Sequence, residues 1–243
     1  QQLSLQLGLP VTMEKRDVSG YQQSYRLTLE EAAREVRYQF LAEVVAKTGA
    51  AAVVVGHTGS DHVETVMLHL LRGSGLSGLV GLKEAVSLHY KRVDPLRIIR
   101  PLISLTRAEV ENYCREKRLS FCTDITNESL TPTRNRIRLK LLPEIRRDFN
   151  PRIDEAISRL SRLAADDLDF IAAEAESAAD RLVRFASGVW MLDRTGLRQL
   201  HPALQRAVLR RLLAQALGSP KDIESVHIEE LMAIAAGNSG RAV

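Results

Sequence analysis

The most informative stretch of the chain begins with an uninterrupted apolar run, Ala51 to Val55. Runs of this kind are typical of buried strands in parallel sheets that are covered on both faces. At Gly56 the pattern turns polar, and between Val63 and Leu71 apolar residues recur at spacings of three and four, which predicts a helix with Ser60 as its N-cap. Gly73 ends it. A strand, a polar turn and a helix in this order are where doubly wound α/β sheets bind ligands.

The first half of the chain alternates predicted helices and strands. Thr28 and Glu31 form a capping box at the start of an apolar stripe that runs to Lys47. Residues 1–7 read as a helix closed by Gly8. Short strands are predicted at residues 11–15 and 96–99, and a helix at residues 106–118 with Val110, Tyr113 and Cys114 facing inward.

Beyond Asn150-Pro151 the pattern favours helices, with one short strand that contains Trp190. Helices are predicted at residues 152–184, from Pro202 onwards and at residues 223–236. The change of character predicts a domain boundary between residues 141 and 151. We therefore expect an α/β domain at residues 1–145 and a smaller, mainly helical domain at residues 146–243.

Composition changes this picture little. A net charge of +4 permits nucleic acid as a partner without requiring it. The two cysteines, Cys114 and Cys122, fit no zinc or redox spacing and favour a reducing compartment. Neither a signal peptide nor an apolar run of the roughly 20 residues that span a bilayer is found. These features predict a cytoplasmic protein without a membrane partner.

Asp61 and Glu64 lie three residues apart in the first turn of the predicted helix. Acids there are favoured by the helix dipole alone, so both are open to interpretation as caps. A functional role of the two acids is supported by their neighbours, because His57, Arg72 and a glycine loop flank the same strand end. A second polar segment carries Arg134, Arg136, Arg138 and Lys140, whose charge pattern alone is compatible with a solvated basic helix face.

These two segments resemble tRNA(Ile)-lysidine synthases, members of the N-type ATP pyrophosphatase group. Residues 56–65 read GHTGSDHVET where that family reads G-H-x-x-D-D-Q-x-E-T, and residues 72–75 match its R-G-S-G. Ser60 and His62 depart from the pattern. Asp124 and Asn127 match the family's D-x-x-N, and residues 134–138 match its R-N-x-[IL]-R.

The resemblance implies a Rossmann-like parallel sheet of the adenine nucleotide alpha hydrolase type, followed by a helical domain that contacts tRNA. It implies a C–N bond-forming ligase that uses ATP with Mg²⁺. ATP adenylates the C2 oxygen of the wobble cytidine of tRNA(Ile) with a CAU anticodon, and the ε-amine of L-lysine then displaces AMP from C2. The oligomeric state is left open.

The resemblance also implies residue roles. The expected catalytic residues are His57, Asp61, Glu64 and Arg136, and the two acids are expected to bind the lysine ammonium. The expected nucleotide-binding residues are Gly56, His57, Arg72 and Gly73. The expected tRNA-binding residues are Arg134, Arg138, Arg206, Arg210 and Arg211. No metal ligands are expected from the protein.

The family's S-G-G-x-D-S loop, whose amides grip the ATP pyrophosphate, has no match in the sequence. Either the sequence is truncated before this point or this copy has lost the loop. Two alternatives therefore stay open. One is a catalytically incomplete tRNA-binding remnant. The other is a different PP-loop tRNA-modifying enzyme, such as a tRNA thiolase, although Cys114 and Cys122 are poorly spaced for the paired cysteines of that class.

Overall fold

The structure is a computed structural model that describes residues 2–90, 93–121, 133–217, 223 and 225–237. The chain folds into two compact units. The first unit contains residues 1–59 and 83–113, and the second unit contains residues 60–82 and 114–243. The boundary near residue 145 stays a prediction. Among the described residues, no helix combines the length and the apolar character needed to cross a bilayer.

Three helices open the first unit: α1 (Gln2–Leu7), α2 (Val18–Tyr25) and α3 (Leu29–Thr48). Gly8, at φ +65°, ends α1 as predicted. The capping box of α3 is present, since the Thr28 side chain accepts from the Glu31 amide and the Glu31 side chain accepts from the Thr28 amide. The strand predicted at residues 11–15 is wrong, because this segment has no regular structure. Asp17 instead caps α2, a helix that the apolar pattern did not indicate.

The sheet of the first unit has the order β1-β3-β2, formed by β1 (Val53–Val54), β2 (Ala85–Tyr90) and β3 (Val93–Ile99). β1 runs parallel to β3, whereas β2 is antiparallel to it. The predicted buried strand at residues 51–55 is shorter and less buried than expected. Only two of its residues join the ladder, at the edge of the described sheet, and Val54 is 66% exposed.

The core of the first unit lies between α3 and the sheet. Tyr38, Leu96 and Ile98 are buried there. Because β1 and β3 are parallel, their carboxyl ends lie at the same edge, where Gly56 and Arg100 follow. Helix α6 (Arg107–Glu116) begins beyond this edge, and Tyr113, predicted to face inward, is 56% exposed.

The second unit is mainly helical. From Ser60 onwards α4 (Gly59–Leu71) belongs to it. It also contains α5 (Leu76–Leu79), α7 (Thr133–Arg136), a π-helical turn (Ile137–Leu141), α8 (Leu142–Asp148), α9 (Ile153–Leu182), α10 (Arg194–Gln199), α11 (Pro202–Leu217) and α12 (Ser225–Ala236). The long helix after residue 152, the helix from Pro202 and the last helix are therefore confirmed.

Two apolar clusters organise these helices. In one, Val63, Val66 and Met67 of α4 pack against Ile137, Leu142 and Ile157. The other is formed by α9, α10, α11 and α12, with Leu197, Val208, Leu209 and Ile228 almost fully buried. The predicted strand around Trp190 is β5 (Val189–Leu192), which forms an antiparallel hairpin with β4 (Val183–Ala186).

Candidate active site

The polar turn between β1 and α4 is held by a close backbone approach within the first unit. The Gly59 amide donates to the Leu105 carbonyl oxygen over 2.7 Å. A Cβ at Gly59 would lie 3.0 Å from the Ile103 carbonyl oxygen and 3.2 Å from that of Leu105, so a larger residue would push the turn away. Since α4 begins at Gly59, Ser60 lies inside the first turn and is not the N-cap predicted from the sequence.

Among the described acids of the second unit, Glu64 of α4 is the most enclosed, with a side chain only 3% exposed. Arg138 binds it at two points, with Nε 2.6 Å from Oε1 and Nη2 2.7 Å from Oε2. Arg134 adds a third contact, from Nε to Oε2, at 2.9 Å. The hydrogen bonds of Glu64 are therefore made to two guanidinium groups, which rules out the interpretation of this residue as a simple helix cap.

Asp61 lies beside this pair, and its contacts with the two arginines are longer than those of Glu64. Its Oδ1 is 3.3 Å from Arg134 Nη2 and 3.6 Å from Arg138 Nη2, and its side chain is 13% exposed. Arg134 Nη2 also donates to the Asp61 carbonyl oxygen over 3.2 Å. We call the group of these side chains the carboxylate–arginine cluster; it consists of Asp61, Glu64, Arg134 and Arg138. The negative charges of its two carboxylates balance the positive charges of its two guanidinium groups.

Local structure explains why these four side chains meet. Asp61 and Glu64 are three residues apart, and Arg134 and Arg138 four apart, so each pair projects from one side of its own segment. Ile137 lies between the arginines in sequence and packs in the same apolar cluster as Val63. The cluster thus sits at the margin of an apolar contact, next to a π-helical turn, a feature frequent at functional sites.

The electrostatics of the cluster favour a functional role. Hydrogen bonding to the Glu64 carboxylate raises the pKa of Arg138 above its ordinary value, against the opposing effect of burial. Enclosed ion pairs are weak stability devices, because desolvation offsets most of their attraction. Charged side chains that are brought together in spite of this desolvation penalty are therefore candidates for binding or catalysis.

The structure shows which of the predicted arginines contact the two acids. Arg134 and Arg138, predicted to bind tRNA, are the two that contact the acids. Arg136, predicted to be catalytic, is exposed and does not join the cluster. Asp124 and Asn127 of the same motif lie outside the described residues, as does Cys122. Cys114 is a partly buried free thiol.

His57 lies in the first unit, just beyond β1, where it meets a residue that the sequence interpretation missed. Arg100 follows β3 directly and is only 3% exposed. Its Nε donates to His57 Nδ1 over 3.4 Å, and its Nη1 donates to the Lys83 carbonyl oxygen over 2.7 Å. Burial lowers the pKa of Arg100. In the sequence, Arg100 could have been noticed because it directly follows the strand predicted at residues 96–99.

Two histidines of α4 hold the segment that follows the glycine loop. His62 Nδ1 lies 3.1 Å from both the nitrogen and the oxygen of Leu82, and His69 Nδ1 lies 2.8 Å from the Gly78 oxygen. Burial lowers the pKa of His62. Gly81, at φ +62°, lies so close that a Cβ would be 2.8 Å from the His62 ring. His62, which replaces the family's glutamine, is therefore a packing residue of this segment.

The predicted nucleotide-binding glycines are both open. Gly56 and Gly73 have no atom within 4 Å of the position that a Cβ would take, and Gly73 adopts φ +71° at the end of α4. Arg72 beside it is exposed. Among the described residues, no group of three or more His, Cys, Asp and Glu side chains is placed to hold a metal ion.

The three arginines of α11 do not point in one direction. Arg206 pairs with Glu229 of α12 and Arg211 with Glu176 of α9, each over 2.6 Å. Arg210 donates to the Ile223 carbonyl oxygen over 3.0 Å. Hydrogen bonding to Glu229 raises the pKa of Arg206. The two exposed ion pairs add little stability and leave the guanidinium groups of Arg206 and Arg211 able to exchange partners.

Two family models match the chain. A family model described as PP-loop domain matches residues 1–145, and a model described as TilS substrate binding domain matches residues 192–242. The first match confirms the predicted Rossmann-like α/β fold class.

Curated relatives agree with both matches. A tRNA(Ile)-lysidine synthase of Dehalococcoides mccartyi (strain CBDB1) is 43% identical over 242 residues, which cover 100% of this chain and 51% of that protein. One from Clostridioides difficile (strain 630) is 33% identical over 94% of this chain and 48% of its own length. The chain thus spans about half the length of these relatives. It belongs to the PP-loop family, and its resemblance to tRNA(Ile)-lysidine synthases is confirmed.

Proposed function

We propose that the chain provides the lysine-ligating centre of a tRNA(Ile)-lysidine synthase. In this reaction the C2 oxygen of the wobble cytidine attacks the α-phosphorus of ATP and pyrophosphate leaves. The lysine ε-amine, after losing a proton, then forms a bond to C2 as the C–O bond breaks and AMP leaves. The substrate is tRNA(Ile) with a CAU anticodon. The proposal rests on the family membership and on the site described above.

The carboxylate–arginine cluster is the observation that carries this proposal. It joins two sequence blocks about 70 residues apart, and both are blocks that resemble lysidine synthases. A reaction between a cationic amine and an adenylated base needs acids for the ammonium and guanidinium groups for phosphate. The cluster holds both kinds of group within hydrogen-bonding distance of each other.

Within the cluster we assign different roles to the two acids. Glu64 is bound by both arginines at 2.6–2.9 Å and is almost fully enclosed, so it positions their guanidinium groups. Asp61 has longer contacts, 3.3 and 3.6 Å, and is more exposed. A lysine ammonium replaces long contacts at lower cost than short bidentate ones. Asp61 is therefore the proposed ammonium ligand and the acceptor of its proton.

ATP fits the residues that the chain presents. Arg134 and Arg138 are 30% and 18% exposed, so their guanidinium groups are reachable by phosphate oxygens. Gly73 leaves open space where a side chain would otherwise stand, beside exposed Arg72. ATP supplies the adenylyl group that turns the C2 oxygen into a leaving group.

Mg²⁺ enters the proposal only together with the phosphates of ATP. Mg²⁺ keeps several waters and is bound through one or two carboxylates plus phosphate oxygens in many nucleotide sites. The protein's part is to hold the polyphosphate with arginine side chains and to exclude competing charge.

For tRNA binding we propose α11 of the second unit. Arg206, Arg210 and Arg211 lie on it, within the part of the chain that matches the TilS substrate binding domain. When a guanidinium group exchanges an exposed glutamate for a phosphate oxygen of the tRNA, the binding of the tRNA depends on salt concentration. A protein that acts on tRNA and keeps Cys114 as a free thiol belongs in the cytoplasm, where we place it.

The experiment uses a chimera in which these 243 residues replace the matching segment of the Dehalococcoides mccartyi relative. Lysine incorporation is measured with ATP, Mg²⁺ and a transcript of tRNA(Ile) with a CAU anticodon. We expect lysine to be incorporated into this transcript and not into a control in which uridine replaces the wobble cytidine. A folded chimera that binds the transcript but incorporates no lysine would favour the tRNA-binding remnant. Sulfur transfer in place of lysine transfer would favour the thiolase.

A further inference from the structure

Arg100 is a buried cation of the first unit that none of the roles above uses. Its side chain follows β3 at the edge where β1 also ends. We propose that Arg100 is a positioning residue, which holds the His57 ring as the tautomer with its proton on Nε2. His57 then acts as a hydrogen-bond donor through Nε2 and not as a base through Nδ1. This inference deepens the proposed function and rests on it for its chemical meaning.

Arg100 is held both at its backbone and at its guanidinium group. The Arg100 amide donates to the Glu84 carbonyl oxygen over 2.7 Å, and Nη1 donates to the Lys83 carbonyl oxygen over the same distance. The side chain is enclosed, and the preceding core residue Ile98 is fully buried. With the backbone and Nη1 tied to the start of β2, the orientation of Nε is determined by the planar guanidinium.

The direction of the Nε contact determines the tautomer. A guanidinium has five N–H donors and no acceptor, and it does not lose its proton in proteins. Arg100 Nε is 3.4 Å from His57 Nδ1, so Nδ1 must present its lone pair in this contact. A neutral imidazole with an unprotonated Nδ1 carries its proton on Nε2.

The position of His57 is determined as strongly as that of Arg100. The Val55 amide donates to the Ile99 carbonyl oxygen over 3.0 Å, which extends the parallel ladder to the residue before Arg100. On the other side of His57, Thr58 is buried and Gly59 is bound to Leu105. The imidazole and the guanidinium are thus brought together by backbone contacts on both sides of each residue.

For lysidine formation this tautomer gives His57 a definite task. A neutral Nε2–H stabilises negative charge that develops on an oxygen atom, such as a phosphate oxygen of ATP, without adding a second cation beside Arg100. Removal of the lysine proton is therefore not a task of His57. Arg100 itself touches no substrate in this proposal and acts through His57.

The tautomer is measured directly on the ¹⁵N-labelled chain by long-range ¹H–¹⁵N correlation of the imidazole rings, at a pH where histidines are neutral. A His57→Phe variant, which removes one set of signals, assigns His57. We expect a single tautomer with Nδ1 unprotonated and Nε2 protonated. A protonated Nδ1, or a mixture of the two forms, would overturn the proposal. Because no ATP, lysine or tRNA is present, this outcome is independent of the lysidine assay.

Two variants test the role of Arg100. Arg100→Met removes the donor and should turn His57 into a mixture of tautomers, while the signals of His62 and His69 in the second unit stay unchanged. In His57→Phe, the Nε–H signal of Arg100 should shift and exchange faster with water. An unchanged His57 signal in folded Arg100→Met would show that the arginine is only structural. If Arg100→Met does not fold, the proposal is tested by two other measurements. These are the tautomer of His57 in the wild-type chain and the Nε–H signal of Arg100 in His57→Phe.

Discussion

Arg138 and Glu64 are 74 residues apart in sequence, and the guanidinium of one meets the carboxylate of the other in a two-point contact of 2.6 and 2.7 Å. This contact joins the helix after the polar turn to the segment that carries the second motif. It also explains why the two motif blocks need each other. Either block alone would leave a charged group of the cluster enclosed without its counterion.

Loss of the Glu64 charge should destabilise the protein. In Glu64→Gln, both arginines lose the carboxylate that accepts their short hydrogen bonds, so we expect the free energy of unfolding to fall by at least about 1.5–3 kcal/mol. Urea denaturation measures the change. Glu176→Gln, which breaks an exposed ion pair with Arg211, is the matched control and should change stability little. Equal effects of the two substitutions would contradict the enclosure of Glu64.

Asp61 and Glu64 should affect the lysidine reaction in different ways. In the chimera, Asp61→Asn should raise the KM for lysine roughly tenfold to a hundredfold, since one charge-assisted hydrogen bond to the ammonium is lost. Glu64→Gln should mainly lower kcat, because the arginines lose their orientation while Asp61 remains. Initial rates over a range of lysine concentrations, with ATP saturating, separate the two effects. A wild-type KM for lysine in Asp61→Asn would remove this residue from the lysine site.

Stability should fall in mildly acidic solution because of His62. Burial lowers the pKa of His62 from its ordinary value of 6.5, so the unfolded chain binds a proton there before the folded chain does. The free energy of unfolding should thus decline as the pH falls below about 6.5 and level off once the folded state is protonated too. His62→Gln should flatten this part of the pH profile. An unchanged profile in that variant would assign the decline to other groups.

The arginines of α11 should bind tRNA by exchanging partners. Replacing Arg206, Arg210 and Arg211 together by Gln should weaken tRNA binding and lower the slope of log K against log salt by about 0.7–0.9 for each phosphate that is no longer neutralised. The opposite change is the sharper test. Glu176→Gln with Glu229→Gln releases two of these arginines and should strengthen binding at low salt. Binding that is unchanged in both variants would exclude α11 as the tRNA surface.

Gly81 should be intolerant of any side chain. Its φ of +62° and the 2.6 Å approach of the Val66 Cγ2 atom to the position of a Cβ combine backbone strain with overpacking. We expect Gly81→Ala to lower the free energy of unfolding by about 1–3 kcal/mol. Gly75→Ala is the control, because its φ is −65° and no atom lies within 4 Å of an added Cβ. Equal stability of the two variants would mean that the segment after α5 is free to move.

Local patterns in the sequence were sufficient for most helices. The capping box at Thr28 and Glu31 predicted the start of α3, and Gly73 predicted the end of α4. These features act within one or two helical turns, so neighbouring residues determine them. The apolar spacing after Pro202 predicted α11 for the same reason.

The sheet was harder to predict because its contacts are not local. The apolar run at residues 51–55 predicted a buried strand, yet Val54 is exposed, since burial depends on what covers the strand. β2 was missed because residues 85–90 show too weak a pattern by themselves. They become a strand by pairing with β3, from Ala85 opposite Ile99 onwards.

The sequence by itself indicated the two blocks that form the carboxylate–arginine cluster, because the motif blocks around Asp61 and Arg134 are recognisable as sequence, whereas Arg100 was missed. Only the tertiary structure decided which of the alternating arginines meet the acids. Residues four apart share a side of a helical segment, so the spacing alone places Arg134 and Arg138 on the same side. It places Arg136 on a different side. Spacing cannot say which side faces α4. That was settled by the packing of Ile137 and Leu142 against Val63 and Met67, apolar contacts between segments about 70 residues apart in the chain.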